Sequence, residues 1–126
     1  MLSSFPKIVD LDFTKIEIYE DYLVSTVKEG VVFDIPQLKK LHFIFDTYFS
    51  DKVFGFIVNR ENDYTVNPTC YLKHAGYPRL LGEAIFCHSD ATYKTTQFEK
   101  AFYKRPFEAF FSIEKCKDWI NSLRKG

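Results

Sequence analysis

The chain has 126 residues, 46% of them apolar and 18% aromatic, which fits one globular domain with enough apolar material for a real core. Seventeen basic side chains balance 17 acidic ones, so the charge excess that grips a nucleic-acid backbone or an acidic membrane surface is lacking, and no nucleic-acid partner is expected. No window approaches the roughly 18 apolar residues of a membrane span, the opening MLSSFPKIVDLDF has no signal-peptide core, and Cys70, Cys87 and Cys116 form no C-x-x-C pair; these features predict a cytoplasmic protein with reduced thiols, no disulfide framework and no membrane insertion.

Residues 15–20, KIEIYE, alternate polar and apolar, and residues 22–28, YLVSTVK, are rich in β-branched and aromatic side chains. With Glu20-Asp21 between them they predict a hairpin that opens a sheet. Asp34-Ile35-Pro36-Gln37 then combines a capping aspartate, a proline in the first turn and a glutamine three residues after the cap, so a helix starts there. Ile35, Leu38, Leu41, Phe45 and Tyr48 or Phe49 recur at helical spacing and predict one buried stripe through about residue 49. Phe43 and Ile44 fall outside that stripe.

Residues 53–58 are almost unbroken apolar sequence, the mark of a strand covered on both faces. Asn67-Pro68 resembles a cap followed by proline at the first helical position, which predicts a second helix over 68–75, stopped by Gly76-Tyr77-Pro78. Residues 83–88, EAIFCH, predict another buried strand. Residues 91–104 predict a helix with Phe98, Ala101 and Phe102 on one face, ended at Arg105-Pro106. A short strand over 108–111 follows, and Ser112 caps a last helix whose seam is Ile113, Cys116, Trp119 or Ile120, and Leu123.

The order is therefore β-β-α-β-α-β-α-β-α, which argues for an α/β mixed sheet with right-handed crossovers and helices packed against it. No linker, repeat or low-complexity tract divides residues 1–126, so one domain is expected. The hairpin, D-I-P-x-L-x-x-L on the first helix, F-G-F-I-V-N-R, A-I-F-C-H-S, F-E-K-A-F and F-F-S-I-E-K-C-K-D-W-I, taken in that order over residues 13–124, resemble the small bacterial proteins of the SpoIIAA-like STAS group. The resemblance implies a SpoIIAA-like fold with a mixed sheet of about five strands, distantly related to Sec14-type lipid-binding domains. In the anti-sigma-factor antagonists of that family a Ser or Thr in a D-[ST]-[ST]-G loop is phosphorylated at a helix start after a central strand. A phosphate there meets unpaired backbone N–H groups and adds about two negative charges to a partner interface. The corresponding stretch here, 59–69, has no D-S-x-G, and Thr65 and Thr69 are its hydroxyls of the right type.

In open α/β sheets ligands occupy the crevice beyond the carboxyl ends of parallel strands. Two predicted strands end in polar residues, Asn59-Arg60 and His88-Ser89-Asp90. If those strands are neighbours, Asn59, Arg60, Tyr64, Thr65, His88 and Ser89 share one edge able to bind an anion or a partner's acidic side chain. The plain alternative is that Arg60 pairs with Glu61 or Asp63, and that Ser89 or Asp90 merely caps the next helix. Adjacent His88-Ser89-Asp90 does not meet the spatial demands of a catalytic triad, and no assembled nucleophile, base and oxyanion donor marks an enzyme. His42 and His74 lack H-x-x-x-H or carboxylate spacing, so no metal or cofactor is expected and both read as surface or half-buried histidines.

Aromatic content is high, with 14 Phe and 8 Tyr. Either the core is thickly aromatic, or surface near Phe43 and Ile44 is covered by a second subunit, a protein partner or a lipid chain. The leading functional expectation is a non-enzymatic regulatory or protein-interaction domain, acting through an unidentified partner or as a homodimer. The alternative is a carrier or sensor of Sec14-like type with a small apolar ligand between helices and sheet, marked by a pocket of about 300 Å³ or more.

Overall fold

A computed structural model describes residues 5–125. In chain order its elements are β1 (Lys7–Asp10), β2 (Thr14–Ile18), β3 (Tyr22–Val27), β4 (Val32–Phe33), α1 (Ile35–Tyr48), β5 (Phe54–Arg60), β6 (Thr65–Val66), α2 (Thr69–Ala75), β7 (Leu80–Cys87), α3 (Asp90–Glu99), a 3₁₀ turn (Lys100–Phe102), β8 (Phe107–Phe110) and α4 (Ile113–Lys125). The main sheet has six strands in the order β1-β2-β3-β5-β7-β8, and β4 pairs with β6 in a separate small ladder. β1, β2 and β3 run antiparallel, and β3, β5, β7 and β8 run parallel. The predicted hairpin is thus the inner part of a three-stranded meander. β1 escapes the alternation signal because it is a four-residue edge strand whose central Ile8 is 55% exposed.

Local chemistry sets the helix starts. Ile35 donates its N–H to Asp34 Oδ1 at 2.7 Å, and the Asp34 N–H donates to Gln37 Oε1 at 2.9 Å, closing a capping box over α1. Asn67 Nδ2 also donates to Asp34 Oδ1, at 2.8 Å, tying the start of α2 to the start of α1. That bond, together with the Ile35 N–H, holds the Asp34 carboxyl below its usual range.

Successive strand residues face opposite sides, and β5 divides the protein accordingly. Phe54, Phe56 and Val58 enter a large core with Leu38, Leu41, Phe45 and Phe49 from the α1 side. Ile57 faces the other way, into a small cluster with Val24, Ala84 and the α4 residues Cys116 and Ile120. Here α4 lies so close that a Cβ on Gly55 would run into Ile120 Cγ2, and one on Gly82 would come within 2.8 Å of Leu123 Cδ1, with the Pro106 carbonyl oxygen 2.9 Å away on the other side. Ile44 belongs to the large core, whereas Phe43 points outward. On α3 the expected inward face is wrong: Phe98 is 68% exposed and Ala101 is exposed, while Thr96 is buried and Tyr93 and Phe102 pack inward. The α-helix ends at Glu99 and tightens into the 3₁₀ turn, so a single helical phase does not run through residue 102.

Candidate functional site

β5 and β7 are neighbours, with Asn59 opposite Phe86 and Arg60 opposite Cys87. Their carboxyl ends therefore meet. His88 Nε2 lies 2.7 Å from Asn59 Oδ1, and Asn59 Nδ2 donates to Thr26 Oγ1 at 3.2 Å and Glu61 Oε1 at 3.0 Å. The His88 ring lies against Phe86, 4.3 Å between centroids. Ser89 accepts the Thr92 N–H at 3.1 Å and so caps α3. β8 runs parallel to β7 with Phe110 opposite Phe86, which brings Phe111 to the same rim. That ring stacks on Tyr93 at 5.3 Å yet stays 53% exposed.

Arg60 is one residue beyond Asn59, and the strand sends it to the opposite face. Its Nη1 donates to Glu99 Oε1 at 2.7 Å and its Nε to the Tyr64 hydroxyl at 3.2 Å, while the Tyr71 hydroxyl donates to Glu99 Oε2 at 2.6 Å. The Arg60 and Glu99 side chains are 10% and 13% exposed. Burial works against the Arg60 charge, but the Tyr64 and Glu99 oxygens outweigh it and hold the guanidinium firmly protonated. Burial and the same carboxylate push the Tyr71 hydroxyl upward. Arg60 thus pairs with neither Glu61 nor Asp63, which corrects that expectation; β5 and β7 bring Asn59, Arg60 and His88 to one edge of the sheet, with Arg60 on the face opposite Asn59. Thr65 lies exposed on β6 opposite Val32, and Thr69 opens α2 with its N–H on Asn67 Oδ1 at 3.0 Å.

Beneath Arg60 and Tyr64, between α1, α2 and the sheet, lies a cavity of about 50 Å³ walled by Phe33, Leu38, Leu41, Phe56 and Val58. Glu83 and His74 also line it. Outside the Arg60–Tyr64 layer, a cleft of about 130 Å³ runs between the loop after β5 and α3, with Asn62, Asp63, Thr92 and Thr95 on its walls. The inner volume falls well short of the pocket of about 300 Å³ that a drug-sized or lipid ligand requires.

Sequence reasoning missed the groups in that cavity. His74 is not at the surface; it is 5% exposed, and Glu83 beside it is 4% exposed. His42 Nε2 lies 3.0 Å from His74 Nδ1, and His74 Nε2 lies 3.1 Å from Glu83 Oε1, forming a chain from α1 through α2 to β7. Burial, with His74 alongside, drops His42 to about 4 against a weaker upward pull from Asp46. Burial, reinforced by Glu83, pushes the Tyr103 hydroxyl well up. Cys116 is raised to about 12, mainly by burial, and Cys70 and Cys87 are raised for the same reason, so the three thiols are poor nucleophiles. Among the described residues no group of three His, Cys, Asp or Glu side chains is arranged to hold a metal, and no helix is long and apolar enough to cross a membrane.

No protein-family model matches the chain, and no curated protein sequence matches it either. A solved structure that does match is an uncharacterized protein of the DUF3478 family with a SpoIIAA-like fold from Shewanella loihica PV-4. The two superimpose with a TM-score of 0.59 at 16% identity, over 95% of this chain and 98% of that one. The fold is therefore SpoIIAA-like, as the order of motifs implies, with a main sheet of six strands where about five are expected.

Proposed function

We propose that this domain is a non-enzymatic cytoplasmic regulator that docks a protein partner through the rim where β5, β7 and β8 end. The observation that carries this reading is the hydrogen-bonded Asn59–His88 pair where β5 and β7 end, with the exposed Phe111 ring just past the end of the neighbouring β8. An accessible aromatic anchor among polar groups already held in place is the composition of an interface hot spot. Ser89 and Glu61 extend the polar part of that rim, and Thr65 and Thr69 are the hydroxyls at which phosphorylation would regulate docking. The test is recovery of partner by tagged protein from its own cells. Phe111→Ala and His88→Ala should lose a partner that Phe43→Ala, altered at an exposed ring on α1, retains. Equal recovery by all three variants, or no partner for the unaltered protein, sinks the reading.

The cavity favours a second reading, a sensor of a small ligand held between the helices and the sheet. At about 50 Å³, and with a water-sized centre needing about 10–15 Å³, it accepts only about three to five non-hydrogen atoms. Native mass spectrometry that finds the chain bare at all ligand concentrations would remove this alternative.

A further inference from the structure

We infer that the cavity beneath Arg60 binds a short primary alkylammonium, its cation on Glu83 and its chain against Leu38, Leu41 and Val58; the inference rests on the small-ligand reading above and names its chemistry.

Where His42 Nε2–H donates to His74 Nδ1 and His74 turns its Nε2–H toward Glu83, the chain brings the Glu83 carboxyl one N–H and no positive charge. A buried carboxylate needs a cation or a full set of donors. Arg60 and Arg105 are committed elsewhere. Arg60 is held by Glu99 and Tyr64, and Arg105 donates to the carbonyl oxygens of Ala75 and Leu80. His74 Nε2 is 3.1 Å from Glu83 Oε1 and the Tyr103 hydroxyl interacts with the same carboxyl, yet none of these three atoms makes a well-aligned hydrogen bond among the described residues.

The cavity wall selects the rest of the ligand. Phe33, Leu38, Leu41, Phe56 and Val58 offer an alkyl chain apolar contact. They offer a divalent metal ion almost none of the six or more oxygen ligands it would demand. A carboxylate ligand would face Glu83 and be repelled. The approach has the same sign, because Arg60, Tyr64 and Val66 line both the cavity and the outer cleft, where Asp63 and Glu99 oppose the single Arg60 charge. A cation is thus drawn to the layer it must pass.

Titration of the full chain with n-propylammonium chloride, 1-propanol and sodium propanoate at pH 7.5, followed by amide NMR at constant ionic strength, tests the assignment. Propylammonium should bind saturably, moving the resonances of Leu38, Val58 and Cys70, at least tenfold more tightly than propanol, with no binding of propanoate. Glu83→Gln should lose at least tenfold of the ammonium affinity. Where that variant does not fold, the nitrogen shifts of His74 in the unaltered protein decide: neutral-ring shifts support the inference, and imidazolium shifts, which would neutralise Glu83 from within, overturn it. Equal binding of amine and alcohol overturns the cation assignment while leaving a small-ligand site standing. Binding of none of the three overturns both.

Discussion

The two faces of the central sheet are built from alternate residues of the same strands and have opposite characters. On the α4 face, Val24, Ile57, Ala84, Cys116 and Ile120 make a small dry cluster, with glycines where the helix presses closest. On the other face a much larger aromatic core accommodates the Arg60–Glu99 pair, the His42–His74–Glu83 chain and a cavity. The close packing of that cluster holds no charged side chain, its one titratable group being the Cys116 thiol that burial keeps protonated. Bulky rings meeting at angles, such as Phe45 against Phe56 at 70°, leave room where polar groups can lodge. Stability and chemistry are thus divided between faces rather than along the chain.

The largest test of that division is Arg60→Ala. It strips the partner from a nearly buried Glu99 and should cost about 3–5 kcal/mol, read as a lower denaturation midpoint. A cost near that of a surface substitution would mean that the pair is solvated and the two faces are less different than described. Gly82→Ala is the corresponding challenge to the α4 face. A methyl there meets the Pro106 carbonyl at 2.9 Å and should cost about 1–3 kcal/mol, since a packed backbone yields less than a side chain. No loss would show that the segment at Pro106, before β8, yields easily.

The third expectation is a pH dependence confined to the polar face. His42 titrates near 4 when folded against 6.5 for the ordinary ring, so between those values the unfolded chain binds the proton more readily. Stability should fall as pH drops from 6.5 toward 4 and be flat above that window. His42→Gln should flatten this part of the curve in pH-dependent urea melts, and an unchanged slope would assign it to other groups. Because the ring is partly open to solvent, the loss will be smaller than the full shift implies. The smallest effect should come at the rim: Asn59→Ala breaks an exposed bond to His88 and should move stability by no more than about 0.5 kcal/mol. A larger loss would make the rim a structural element.

Much of this architecture is legible where the determining partners are close in sequence. The capping box of Asp34 and Gln37 announces α1, the unbroken run 53–58 announces the central strand, and the Ile113–Cys116–Ile120 spacing announces α4. The strand-end pair Asn59 and His88 follows once those strands are taken as neighbours. What is hidden depends on distant partners. Arg60 finds Glu99, 39 positions away, rather than the nearer Glu61 or Asp63, and nothing local distinguishes Glu83 from an ordinary residue at the edge of an apolar run. β4 and β6 have two residues each, too few for any periodicity. On α3 the inward Thr96 carries no hydrophobic signal, while the outward Phe98 carries a misleading one.

The flush seating of α4 over Gly55 and Gly82 has a consequence for biosynthesis. Every strand of the sheet precedes this helix, so while the protein is being made, the apolar patch around Ile57 and Ala84 stays bare until residues 113–125 clear the ribosome. Translational pausing between β8 and α4 should therefore be the moment of greatest demand for chaperones, whereas pauses before β5 should matter little.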